Sequence, residues 1–142
     1  MPKMSFREKS AWVSFATILV VFGAYFWNVI RVLGGQVEFR AAYALSVALL
    51  VAFVVLEIVL HIVLAIQAPK EALAPRDERE RLIEMRATRV AFQVLVVGAL
   101  AGVGMLHVTT SAWRMAQVVL LAVVVAELVK FGGQILYVRR GV

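Results

Sequence analysis

The chain alternates four long apolar runs with short polar segments. Each run is continuous and close to the length of about 20 residues that a helix needs to cross the hydrocarbon core. A membrane β-strand would be about 10 residues with an alternating pattern, so the runs indicate helices. The predicted spans are residues 10–30, 41–67, 90–107 and 115–138. The sequence therefore predicts an all-α bundle of four transmembrane helices, up-down-up-down, in a single domain over residues 1–142.

The composition supports a membrane protein. Of the 142 residues, 63% are hydrophobic and 17% are charged, and the mean hydropathy is +0.90. Soluble proteins average about 45–50% apolar and about 25% charged residues, so a soluble or disordered chain is excluded. Because the chain has no cysteine, a disulfide scaffold and thiolate metal sites are excluded as well. In a membrane chain, a net charge of +6 indicates basic residues that face anionic lipid, so we expect the lipid bilayer and no nucleic acid as partner.

Basic residues predict how the spans are oriented. Three precede the first span, six lie in the polar loop 68–89 and two follow the last span, against three on the other side. Lysine and arginine are enriched in cytoplasmic segments, which predicts that both termini and the long loop are cytoplasmic. Residues 10–30 are uncharged and no cleavage site follows them, so we expect a retained span and not a signal peptide. The aromatic residues expected at the interfaces are Trp12 and Tyr137 on the inner side, and Tyr25, Trp27, Tyr43 and Trp113 on the outer side.

The polar loop contains a predicted helix start. Asp77 has an acid, Glu80, three residues later, which is the pattern of a capping box. Ser5 and Glu8 have the same pattern ahead of the first span. The sequence therefore predicts a charged cytoplasmic helix over residues 77–89 that continues into the third span.

The two halves of the chain resemble each other. Residues 51–57 read VAFVVLE and residues 121–127 read LAVVVAE, so an offset of 70 superposes Glu57 on Glu127. Other segments match at offsets of 72 and 77, so a duplication would also need insertions. Two interpretations follow. The chain is an internal duplication of a two-helix hairpin, with copies related by an axis along the membrane normal, or it is two independent hairpins of similar composition.

Four titratable residues lie inside the predicted spans. Glu57 is followed one helical turn later by His61, and Glu127 by Lys130. Counted along their spans, both acids are expected slightly past the middle of the membrane, where a charge costs roughly 2.5–3.5 kcal/mol. One interpretation is a polar site that binds a proton, a cation or a small substrate. The other is mutual neutralisation, within each helix or between the two, which fixes the helix register.

No pattern in the sequence predicts catalysis or a cofactor. Glu57 and His61 are spaced i,i+4, whereas di-iron bundles use Glu-x-x-His. His107 is expected at the opposite end of the membrane from His61, which argues against a bis-histidine haem. A Ser-His-Asp set, a phosphate-binding glycine loop and a zinc-protease motif are not recognised either. We therefore expect no enzyme activity, no catalytic residue, no metal and no cofactor.

Glycines in the third span predict close helix packing. Gly98 and Gly102 form a GxxxG pattern, which lets another helix approach closely. The neighbour is expected to be a helix of the same chain or, alternatively, a helix of a second copy in a homodimer.

Two charged segments resemble those of a known kind of protein. DERERLIEMRATR (77–89), which leads into an apolar span, and FREKSAWVS (6–14) resemble the corresponding stretches of small multi-pass bacterial membrane proteins of unknown function. The resemblance implies the bacterial inner membrane and a pair of two-span hairpins. It implies no activity and no functional residues.

These features favour a small non-enzymatic protein with an accessory or regulatory role, acting through helix contacts and its basic cytoplasmic loop on a membrane-protein partner or a second copy. The reason is that little of the chain lies outside the predicted spans and no catalytic pattern is present. The alternative is a proton-coupled transporter or channel for a small solute or ion. In that alternative Glu57 and Glu127 are the titrating groups, and His61 and Lys130 tune the affinity of these acids for the proton.

Overall fold

A computed structural model describes residues 4–35, 38–75, 77–108 and 111–140, and every regular element in these ranges is helical. The elements are α1 (Phe6–Leu33), α2 (Phe39–Gln67), the short α3 (Pro69–Leu73), α4 (Glu78–Gly104), a 3-10 turn (Met105–His107) and α5 (Ala112–Arg140). By length and composition, α1, α2, α4 and α5 can each cross a membrane. Each is about 40 Å long, against about 30 Å of hydrocarbon. The prediction of an all-helical, four-span protein is confirmed.

The helices form two compact units, Met1–Ala74 and Pro75–Val142. Each unit is a hairpin in which two long helices run antiparallel, as the contacts described below show. The predicted membrane orientation and the internal duplication remain predictions. Lys3 and Arg76, which enter the count of basic residues, lie outside the described residues.

Local interactions define the start of α1 and the turn that follows it. The hydroxyl of Ser5 accepts a hydrogen bond from the amide of Glu8 at 3.1 Å, which satisfies a free amide at the start of α1. After α1, Gly35 has φ 69°, a conformation that glycine adopts without steric strain. The guanidinium of Arg7 donates to the carbonyl of Ala74 at 3.3 Å and so connects the start of α1 to the end of this unit.

α1 and α2 pack through one face of each helix. On α1 the buried residues recur every three or four positions; they are Ala11, Ser14, Thr17, Ile18, Phe22, Tyr25, Asn28 and Val29. On α2 the half-buried positions are 46, 49, 50, 53, 57, 60, 61, 64 and 65, which recur every three or four residues as on one face of a helix. The rings of Phe22 and Phe53 lie 5.0 Å apart, and Asn28 Nδ2 donates to Ser46 Oγ at 3.4 Å. These contacts fix an antiparallel register.

The second hairpin packs through small residues. Gly98 lies directly against Ala122, with no room for a side chain between the helices. A methyl group built at Gly102 would lie 2.6 Å from Cγ2 of Val119. Both glycines of the GxxxG pattern therefore face α5 of the same chain, and they allow the two backbones to approach closely.

α4 begins at Glu78, directly after the predicted cap. The carboxylate of Asp77 accepts from the amide of Glu78 at 2.7 Å, and the carboxylate of Glu80 accepts from the amide of Asp77 at 3.4 Å. Together with the bond from Asp77 to the amide of Glu80, this completes a capping box. The charged segment and the third apolar run thus form one continuous helix.

Tyr25, which is expected at the outer interface, packs inside the first hairpin. Its side chain is only 4% exposed and packs against the rings of Phe22 and Phe26. Because Tyr25 follows Phe22 by three residues, it lies on the α1 face that packs in the core. Trp27, which was expected at the same interface, lies on the outside and is 66% exposed.

Candidate functional site

A cluster of four polar side chains joins the two helices of the first hairpin. His61 and Glu57 of α2 face Ser10 and Ser14 of α1. Ser14 donates its hydroxyl to Oε2 of Glu57 at 3.0 Å. Nε2 of His61 lies 3.0 Å from Oγ of Ser10 and 3.4 Å from Oγ of Ser14. The intramembrane acid–base pair predicted on α2 is therefore part of a wider hydrogen-bonded cluster.

The surroundings of His61 identify which ring nitrogen carries its proton. Nδ1 lies 2.8 Å from the backbone carbonyl oxygen of Glu57, one turn earlier on α2. A carbonyl only accepts hydrogen bonds, so Nδ1 must be protonated and donate. In the neutral ring Nε2 is then an acceptor, and the hydroxyl of Ser10 donates to it.

Glu57 is only partly stabilised in this position. Its Oε2 accepts from Ser14 and lies 3.3 Å from Nδ1 of His61. Its Oε1 is buried and has no hydrogen-bond partner in the part of the chain that the structure describes. A buried carboxylate oxygen without a partner is unfavourable, so the contacts of Oε2 with Ser14 and His61 are the ones that stabilise this side chain.

The hairpin register places this cluster near one end of the apolar run. Ser10 directly follows Lys9, the last charged residue before the first span, and Ser14 is one helical turn further, about 6 Å along the axis. His61 is therefore level with the start of the apolar run, and Glu57 lies one turn inside it. Both positions are closer to the end of the hairpin where α1 begins than to the turn between the helices. The side chains of His61 and Glu57 are 41% and 20% exposed.

The second acid–base pair, on α5, is more open. Nζ of Lys130 lies 3.2 Å from Oε2 of Glu127, and it also lies 5.0 Å from the centre of the Phe131 ring. The side chains of Glu127 and Lys130 are 43% and 29% exposed. Each of the two predicted acid–base pairs thus forms within its own helix.

The register of α4 and α5 also brings this pair close to the charged end of its hairpin. Ala87 packs against Gly133, with Cβ of Ala87 3.3 Å from a methyl group built at the glycine. Lys130, one turn before Gly133, is therefore close to the level of Arg89, the last charged residue before the third span.

The first cluster has the connectivity of a Ser–His–acid triad, but it lacks the other parts of such a site. A hydrolase also needs amide donors that stabilise an oxyanion beside the nucleophile. Ser10 lies inside α1, where backbone amides are engaged in helical hydrogen bonds. In addition, Nδ1 of His61 donates to a backbone carbonyl at a shorter distance than it has to Glu57. The geometry suits proton binding better than acyl transfer.

The sequence reasoning did not identify Ser10 and Ser14. Their signal was the i,i+4 spacing of two hydroxyls in an otherwise apolar run, which places both on one face of α1. In the described ranges, no group of three or more histidine or acidic side chains could hold a metal ion. Glu57 and His61 would supply two ligands.

Comparison with known proteins locates the whole chain within one family. No curated protein and no solved structure matches it. A match to a family of predicted membrane proteins covers residues 7–142 and so includes all four long helices. This match confirms the resemblance to multi-pass membrane proteins of unknown function. The chain belongs to the family described as "Predicted membrane protein (DUF2178)".

Proposed function

We propose that this protein is a non-enzymatic accessory or regulatory protein of the bacterial inner membrane, and that α2 packs against a helix of another membrane protein. In this proposal both termini lie in the cytoplasm, which the distribution of basic residues favours. The observation that supports it is the large exposed apolar surface of α2.

No residue of the apolar segment Tyr43–Gln67 is buried, although this is the most apolar of the four long helices. Its half-buried row faces α1, and the remaining surface is exposed. The large apolar residues on that surface are mostly valine and isoleucine; they are Tyr43, Leu45, Val47, Val51, Val54, Val55, Leu56, Ile58, Val59, Ile62, Val63 and Ile66.

This surface is suited to helix packing. In a membrane, helices associate through van der Waals contacts and not through the hydrophobic effect, so the fit of the side chains decides the affinity. Valine and isoleucine hold one χ1 rotamer in a helix and lose little side-chain entropy when another helix covers them. A face of stiff, branched side chains therefore favours a specific helix neighbour over disordered lipid.

Site-specific photocrosslinking in native membranes tests the proposal. A photoreactive phenylalanine at Val55, which is 55% exposed, should give one protein adduct of defined mass. The same residue at Phe53, which contacts Phe22 within the hairpin, is the matched control and should give none. A lack of protein adducts from Val55 would contradict the proposal, and so would adducts formed only with a second copy of this chain.

A second candidate is a proton-coupled transporter or channel, because an intramembrane carboxylate in a hydrogen-bonded cluster is a common feature of such proteins. The hydrogen bonds of Glu57 with Ser14 and His61 favour it. Flux measurements in proteoliposomes test it: Glu57→Gln and Glu127→Gln should each abolish proton-linked uptake. Unchanged flux in both variants would exclude this candidate.

A further inference from the structure

We propose that His61 is a proton-binding site that exchanges with water only at the end of the first hairpin where α1 begins. The ligand is a proton, Nε2 is the atom that binds it, and Glu57 is the counter-ion. The site belongs to the α1–α2 hairpin itself and does not depend on whether α2 has a protein partner.

The two ring nitrogens of His61 have different kinds of neighbour. Nδ1 faces a backbone carbonyl, which can only accept, so this nitrogen stays protonated. Nε2 faces the hydroxyls of Ser10 and Ser14, which can donate as well as accept. The cluster therefore offers Nε2 a partner in both protonation states, which is the requirement for reversible proton binding without rearrangement of the helices.

Binding of a proton at Nε2 requires only that the hydroxyl of Ser10 reorient. In the neutral state the Ser10 hydroxyl donates to Nε2. When a proton from water binds Nε2, the new N–H donates to Ser10 Oγ. The hydroxyl hydrogen of Ser10 then turns toward the carbonyl of Phe6, four residues earlier, as serines in helices commonly do. Ser14 continues to donate to Glu57, and the combined charge of Glu57 and His61 changes from −1 to 0.

The counter-ion lies beside the ring. Glu57 Oε2 lies 3.3 Å from Nδ1, and its other oxygen has no partner among the described residues. From α1, the groups that face the pair are the hydroxyls of Ser10 and Ser14. The other charged residues toward this end of the hairpin are Arg7, Glu8 and Lys9 of α1 and Lys70 of α3.

The packing of α1 and α2 restricts access to one side. His61 is 41% exposed and level with the start of the apolar run of α1. Deeper in the seam, Ile18 is buried and the rings of Phe22 and Phe53 are in contact at 5.0 Å. The polar pair at the far end, Asn28 and Ser46, lies beyond this aromatic contact. His61 thus lies near the end of the hairpin where α1 begins, and apolar packing separates it from the other end.

Nitrogen NMR of the full chain in lipid nanodiscs tests the binding atom. The chain has two histidines, so His107→Gln leaves His61 as the only signal. As the pH is lowered, Nε2 should gain a proton while Nδ1 remains protonated throughout. A site in which Nδ1 exchanges, or in which Nε2 never gains a proton, would overturn the proposal.

Two variants test the role of the neighbours. Glu57→Gln removes the counter-ion and should change the pH at which Nε2 of His61 gains its proton. Ser46→Ala removes a hydroxyl at the far end of the same seam and should leave the His61 titration unchanged. Equal behaviour of the two variants would contradict the assignment of Glu57. If Glu57→Gln fails to fold, Ser10→Ala tests the other neighbour: Nε2 loses its nearest partner, so the pH at which it gains its proton should change.

Sidedness needs a separate measurement. In vesicles that hold the protein in one orientation, the pH is changed on one side while the other is buffered. His61 should respond only when the changed side is the one that carries the start of α1. A response from the opposite side, or from both sides equally, would refute one-sided access. None of these results depends on the photocrosslinking experiment, so the two proposals can fail separately.

Discussion

Oγ of Ser14 lies 3.0 Å from Oε2 of Glu57 and links the two helices of the first hairpin. Ser14 is 1% exposed, so neither water nor another side chain can replace this acceptor easily. The contact also determines depth, since it places Glu57 beside the first turns of the apolar run of α1. One hydrogen bond thus fixes the level of Glu57, the acid within the apolar run of α2, against α1.

Ser14→Ala should destabilise the first hairpin by about 1–2 kcal/mol, because Glu57 loses its hydroxyl donor. Reversible unfolding in detergent or lipid measures the change. Ser46→Ala is the matched control: its bond with Asn28 is longer, at 3.4 Å, and its loss should cost less. Equal losses of unfolding free energy in both variants would show that the Ser14–Glu57 bond contributes no more than the Asn28–Ser46 bond.

Gly98→Ala should destabilise the second hairpin by about 1–3 kcal/mol, since the added methyl would overlap the side chain of Ala122 and force α4 and α5 apart. Gly104→Ala adds the same methyl near the end of α4, where no atom of the described residues lies within 4 Å. That control should be neutral or slightly stabilising, because alanine favours a helix more than glycine does. The measurement is the unfolding free energy of each variant. Equal values for Gly98→Ala and Gly104→Ala would be incompatible with the close contact between Gly98 and Ala122.

Features that depend on residues close together along the chain were predictable from the sequence. The four spans follow from long apolar runs, and the start of α4 follows from the capping box of Asp77 and Glu80. The burial of Tyr25 was not predictable, because an aromatic residue near a span end suits either a membrane surface or a protein core. Which one applies depends on the face of α1 that meets α2, and that is a tertiary property.

The candidate site was predictable only in part. Glu57 and His61 are conspicuous because charge is rare in an apolar run. Ser10 and Ser14 are not, since serine is common in membrane helices, and their importance arises only when α2 brings a carboxylate and an imidazole to them. The level of Glu57 against α1 was not predictable for a related reason: it depends on the register between two helices, and counting along one helix does not reveal that register.

An activity-based phosphonate probe for serine hydrolases should leave the chain unlabelled, although Ser10 lies 3.0 Å from Nε2 of His61. The physical reason is that the helical backbone around Ser10 has no free amides to stabilise the developing oxyanion. Labelling is followed by mass spectrometry of the intact protein, with a known serine hydrolase in the same membranes as positive control. Modification of Ser10 that disappears in His61→Gln would contradict a non-enzymatic role.

The absence of cysteine in the chain allows a direct test of topology. Gly34→Cys in the turn after α1 and Ala74→Cys before α4 place single thiols at opposite ends of the first hairpin. With cytoplasmic termini, a membrane-impermeant maleimide added to intact cells should label position 34 and not position 74. The pattern should reverse in inverted vesicles, and the opposite result would invert the orientation derived from the basic residues.

Glu57→Leu and Glu127→Leu should have different effects, although the two acids occupy matching positions in the sequence. Leucine at position 57 leaves the buried hydroxyl of Ser14 without its acceptor, so the first hairpin should lose about 1–2 kcal/mol. Glu127 contacts Lys130 of its own helix and is 43% exposed, and exposed pairs of this kind contribute only about 0–1 kcal/mol. Thermal or denaturant unfolding of each variant in lipid measures the difference. Equal destabilisation would mean that Glu127 also holds two helices together, a role that its contact with Lys130 does not provide.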